Sequence, residues 1–204
     1  MAFSLTRYRI IYTLILISLL FVFPAQVRAL GESEIPPLGE FIEEVMNGEA
    51  DVLRGVYVSG VLADSVAPQP EQNPAYVSSK KDTLTQFGLA SKYGSTGLLA
   101  HNYLAGKNFS LLEKGQLIHL IYGDGGIETF VITEFMRFQA LTPDSVASNF
   151  VDLDNDELLS ASNLFLQAYN RPGDVVLQTC IYAKGNNSWG RLFIIAEPYS
   201  LTFD

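Results

Sequence analysis

Gln116-Leu117-Ile118-His119-Leu120-Ile121-Tyr122, then Gly123-Asp124-Gly125-Gly126, then the run from Ile127 to Gln139 decide the fold class. Two β-rich segments joined by residues that tolerate positive φ predict an antiparallel hairpin. Toward the C-terminus, Asp174 to Tyr182 and Gly190 to Ala196 predict two more strands around the polar loop Lys184-Gly185-Asn186-Asn187-Ser188. Toward the N-terminus, Asp51 to Leu62 predicts a first strand, with Val52, Arg54, Val56 and Val58 on one parity and Leu53, Tyr57 and Val61 largely on the other. Asn155 to Tyr169 reads as helix or mixed loop, with Leu158, Leu159, Phe165 and Leu166 as its apolar contacts. Strands with inserted loops, and no internal repeat or heptad, make the domain all-β.

Of 204 residues, 48% are apolar and 12% aromatic, enough for one substantial core and too many for a disordered tail. The net charge is −9. Beyond Ala29, ten Lys and Arg face all 22 acids, so a product beginning at Leu30 carries −12. A field of that sign excludes broad affinity for nucleic acid or acidic lipid.

Basic residues concentrate at the extreme N-terminus, where Arg7 and Arg9 precede an apolar run from Ile10 to Phe23, Pro24, and Val27-Arg28-Ala29. That order, with small residues three and one positions before a cut, fits a secretory signal over residues 1–29. The 18 uncharged residues from 10 to 27 also border on a short membrane span, so retention as an anchor stays open. Residues 30–50 form an extension with a short amphipathic helix around Phe41 to Met46, and 51–204 the main domain. Pro68, Pro70 and Pro74 mark a surface loop.

Cys180 is the only cysteine, so no intrachain disulfide can form behind a leader that points to an oxidising compartment. It stands near the end of Val175-Val176-Leu177-Gln178-Thr179-Cys180, where a strand holds the sulfur firmly and the adjoining loop leaves room for a substrate; a buried core thiol is the alternative. His101 follows Gly97-Leu98-Leu99-Ala100 and would protonate a leaving amine or pair with Cys180 if the strands met; otherwise it is an edge histidine. His119, inside an apolar strand, suits a structural or rim role. Arg191, in Trp189-Gly190-Arg191-Leu192-Phe193-Ile194-Ile195-Ala196, returns beside the cysteine strand, and its donors need a carboxylate, water or a substrate carbonyl. Two histidines and one cysteine are too few for a zinc site. Asp152-Leu153-Asp154-Asn155-Asp156-Glu157 echoes the start of an EF-hand, but Glu157 stands where glycine is needed and Asn163 where the final glutamate belongs. No metal or other cofactor is expected.

In these blocks the sequence resembles the sortase family of bacterial surface transpeptidases. Val176-Leu177-Gln178-Thr179-Cys180 is close to the family's Thr-Leu-x-Thr-Cys pattern, with Val176 in place of its first threonine. The resemblance runs from about residue 51 to 197. It implies Cys180 as nucleophile, His101 as catalytic histidine, Arg191 as the residue that orients substrate and stabilises its carbonyl, and Thr179 as part of the substrate-binding wall. Ala100-His101-Asn102 departs from the Gly-His-Arg often found there.

The resemblance implies a closed sortase-like β-barrel with short helices and long loops, its core including Val56, Val58, Leu120, Tyr122, Val131, Leu177, Phe193 and Ile195. Asn73 to Ser79 and Leu141 to Arg171 are the expected specificity regions. The implied partners are an exported protein bearing a sorting signal and a cell-envelope or pilus amine, joined through a thioester outside the cytoplasm. A cysteine endopeptidase and a noncatalytic extracellular β-barrel binding protein are the alternatives.

Overall fold

The hairpin forms from strands β5 (Leu117–Tyr122) and β6 (Ile127–Ala140). Gly125 takes φ 86° in its turn, and the Gly126 N–H donates to Asp124 Oδ1 at 2.9 Å. The structure, a computed structural model, describes residues 35–200. The leader, its cleavage point and the first residues of the extension lie outside them.

The single strand expected from Asp51 to Leu62 is instead β1 (Leu53–Val58), a turn at Gly60, and the beginning of β2 (Leu62–Pro68). Parity alone misses that break, because the alternation resumes beyond a turn that Gly60 makes at φ 71°. Next come β3 (Thr83–Phe87), a short helix α2 (Gly88–Ser91) and β4 (Thr96–Ala100). A 3-10 helix (Ala105–Leu111) links β4 to β5. Between β6 and β9 (Val175–Ala183) an insertion carries β7 (Phe150–Asp152), β8 (Leu158–Leu159) and helix α3 (Ala161–Tyr169). Helix α3 starts on Ser160, whose hydroxyl accepts from the Asn163 N–H at 3.2 Å. The last element among the described residues is β10 (Asn186–Pro198).

Strands run in the order β10-β9-β4-β3-β2-β1-β5-β6, and β6 pairs back onto β10 from Phe130 to Gln139. Among the described residues the sheet is thus a closed barrel of eight strands, which removes every free edge from that circuit. Val56, Val58, Leu120, Leu177 and Ile194 fill its interior, and the 3-10 helix sends Phe109 into the same core. Each such side chain fully removed from water contributes about 1.5–3 kcal/mol before entropy is counted.

A second core lies outside the barrel wall, where Met136, Phe138, Phe193 and Ile195 pack against Phe150, Leu164 and Tyr169 of the insertion. Phe193 and Ile195 are therefore buried, but on the outer face; Ile194 is the β10 residue that points inward. Val131 is half-buried, and its neighbours Phe130 and Ile132 take the interior positions. A one-residue shift of register exchanges the two faces of a strand, and here both faces are apolar, so composition does not distinguish them.

Helix α1 (Leu38–Val45) lays Phe41 on Tyr57 and Ile121, on the outer face of β1 and β5. Gly55 admits it, since a Cβ there would lie 2.9 Å from the Phe41 ring. No helix among the described residues is long and apolar enough to cross a membrane.

One inward residue is charged. Asp64, 3% exposed on β2, has Oδ2 without a hydrogen-bond partner. Burial first, and then the charge of Asp82, raise its pKa to about 7, against the opposing pull of Lys107. The unfolded carboxyl gives up its proton near pH 4, so between about pH 4 and pH 7 the folded state holds more protons and stability falls as pH rises. Asp64→Asn is accordingly expected to raise the melting temperature at pH 8 and to leave it almost unchanged at pH 4, which thermal melts at the two pH values will read.

Candidate active site

Three neighbouring strands deliver the site. β9 and β10 are antiparallel, with Cys180 directly opposite Arg191. Residues so paired project from the same face with Cβ atoms about 5 Å apart. On its other side β9 runs parallel to β4, where Thr179 pairs with Ala100, so His101 leaves the strand at the level of Cys180. The structure thus brings the imidazole-, thiol- and guanidinium-bearing residues to one end of β4, β9 and β10. All three are partly exposed.

Beyond β4 the chain turns sharply. The Leu104 and Gly106 N–H groups both donate to the His101 carbonyl, at 3.0 and 3.1 Å. Gly106 is required by close approach: a Cβ would collide with the Thr179 hydroxyl and lie 2.8 Å from the His101 carbonyl oxygen. The His101 ring stacks on Tyr103, centroids 5.2 Å apart and planes within 18°. Asn102 Nδ2 donates to the Asn187 carbonyl of β10 at 3.0 Å, joining the histidine loop to the β9–β10 hairpin.

Arg191 lies along its own hairpin. Its Nη1 donates to the Ser188 and Gly190 carbonyls at 3.1 and 2.9 Å, and its guanidinium carbon sits 5.8 Å from the Phe150 ring centre. Phe150 belongs to the outer core, so the insertion forms one wall beside the arginine. Further along that face Tyr169, fully buried, donates its hydroxyl to Gln178, and burial pushes its phenol well above the ordinary range. The proline loop lines a separate cleft with Gln69, Pro70, Pro74, Phe87 and Lys92, and neither Cys180, His101 nor Arg191 borders it.

Thr179, expected in the substrate-binding wall, stands on β9 beside Cys180. Alternation turns its side chain to the barrel interior, 5% exposed, where its hydroxyl donates to the Ala100 carbonyl at 2.8 Å. It bolts β4 to β9 behind Cys180. His119 faces outward from β5, its Nδ1 3.0 Å from the Thr129 hydroxyl, and burial lowers its pKa. The acidic segment is the tight connection of β7 to β8: Asp152 and Asn155 side chains cap backbone N–H groups two residues on, and Asp154 pairs with Arg137 at 2.9 Å. Among the described residues no group of three or more His, Cys, Asp or Glu is placed to hold a metal ion.

Asn102, Tyr103, Gly106 and Phe150 escaped sequence reasoning. Asn102 alone left a trace, as the departure beside His101.

No protein-family model matches the sequence, and no curated protein matches it. Solved structures do. Sortase A of Listeria monocytogenes aligns at 14% identity and TM-score 0.44, covering 73% of this chain and 88% of that one. Sortase C-1 from Actinomyces oris aligns at 11% identity and TM-score 0.49, over 83% and 84% of the two chains. Sortase A from Corynebacterium diphtheriae aligns at 10% identity and TM-score 0.49, over 84% and 73%. The chain's own strand pairing, with β6 returning onto β10, closes the eight-stranded barrel independently of these similarities.

Proposed function

We propose that the chain is a cysteine transpeptidase that cleaves a sorting signal of an exported protein and passes its acyl group to a cell-envelope or pilus amine. The observation that supports this reading is the placement of Cys180 on β9, Arg191 opposite it on β10 and His101 just past the end of β4, all partly exposed.

The thiolate of Cys180 attacks the scissile carbonyl carbon, forming a C–S bond. Donors on Arg191 stabilise the negative charge that develops on the carbonyl oxygen. The C–N bond breaks as His101 gives its proton to the departing amine. An incoming amine then attacks the thioester and loses a proton to His101. The C–S bond breaks, and the thiolate and imidazolium are restored. Neither half needs an oxidant, a metal or an organic cofactor. Thr179 supports the site from behind through the β4 backbone, and the leader delivers the domain outside the cytoplasm, either as an anchor or before removal.

The test is a product assay on the full chain, offering a library of sorting peptides with an amine. Amine-linked product is the expected result. Hydrolysed peptide without the amine adduct would make the protein an endopeptidase, and no product with any peptide would leave it a noncatalytic binding protein.

A further inference from the structure

The β9–β10 hairpin is irregular next to the site. Asn186 pairs with Ala183 and Gly190 with Ile181, so three residues of β10, Asn187, Ser188 and Trp189, stand against the single residue Tyr182. Such a bulge withdraws backbone groups from the ladder and turns them toward new partners. Lys184 and Gly185 take φ 51° and 79° in the turn before it, and the Ser188 N–H donates to Asn186 Oδ1.

Two of the freed carbonyls are used, both by residues of the site. Asn187 O accepts from Asn102, and Ser188 O accepts from Arg191. One bulge therefore fixes the loop that carries His101 and the guanidinium opposite Cys180. The His101 loop is also held at its two ends: the Thr179 bolt fixes the residue before His101, Leu104 and Gly106 bond to the His101 carbonyl, and Ala105 and Phe109 are buried in the barrel core. Between those ends, Asn102 supplies a side-chain link from the loop to the β10 bulge, across 85 residues of sequence.

We infer that Asn102 is a positioning residue, whose carboxamide holds the His101 loop to the β10 bulge and so sets the imidazole against Cys180. This rests on the transpeptidase reading above. The bond is exposed, so its loss costs the fold little, because water replaces the partner. Its loss costs geometry much more, since a misplacement of about 1 Å lowers turnover by roughly 100-fold.

Cys180 is the only thiol of the chain, so alkylation by iodoacetamide across pH reports on it alone. In the full chain, His101→Ala is expected to slow the alkylation of Cys180 and to change its dependence on pH. Asn102→Ala is expected to shift the profile toward that of His101→Ala and to lower kcat roughly tenfold with little change in KM. Asn102→Gln, which keeps the donor, should recover part of both, and the melting temperature should stay near that of the parent. If Asn102→Ala melts early, Asn102→Ser, polar but too short to reach Asn187, takes its place in the same comparison. A His101-dependent profile that Asn102 variants leave untouched overturns the positioning role. A profile that His101→Ala itself leaves untouched overturns the catalytic pairing, and the tether with it.

Discussion

Cys180→Ala is expected to abolish the covalent peptide adduct and to lower turnover by about 10³-fold or more, while the protein still folds. In the proposed cycle both half-reactions pass through the C–S bond, and no other thiol exists to replace it. The effect on the fold should be small because the side chain is only partly buried and belongs to neither of the two large cores. Intact-mass measurement after incubation with a peptide and no added amine checks the adduct, its loss on later addition of hydroxylamine checks that it is a thioester, and a thermal melt checks the fold. Turnover that survives the substitution would end the nucleophile assignment.

Arg191→Ala should lower kcat by about 10²–10³-fold, the range seen when one donor to a developing oxyanion is removed. The structure explains why the residue suits that role. Nη1 is held by two carbonyls of its own hairpin, while Nε and Nη2 have no hydrogen-bond partner among the described residues. A guanidinium clamped on one side has donors to offer on the other. Lysine has a single flexible ammonium and cannot both grip the hairpin and face a substrate, so Arg191→Lys should recover little. Single-turnover kinetics should place the loss in thioester formation. A variant with normal acylation and a lowered melting temperature would instead make Arg191 a brace for the hairpin.

Much of the barrel was legible because local signals agreed with one another. The Gly-Asp-Gly-Gly turn fixed the β5–β6 hairpin, and the apolar run from Trp189 to Ala196 forms much of β10 beside the cysteine strand. Which of the two faces looks inward was not legible, because the insertion covers the outside of β6, β9 and β10 with a core as apolar as the one within. The β1–β2 turn was hidden for a related reason: one glycine broke a run whose parity continued past it. Of the candidate site, three chemically distinctive residues could be singled out as candidates by type and order. Their supports could not. Asn102 and Gly106 act through backbone carbonyls, and no pattern of residue types announces which carbonyl a distant amide will meet.

The partition of apolar residues between the two faces of β9 and β10 has a bearing on how the protein can change over time. The two large clusters share no residue, although they are separated by a single sheet. Substitutions among Phe150, Leu164 and Phe165 can therefore remodel the outer layer beside Arg191 without disturbing Leu98, Leu177 or Ile194 behind it. Such insulation lets a lineage vary the outer layer while the barrel framework beneath it is inherited intact.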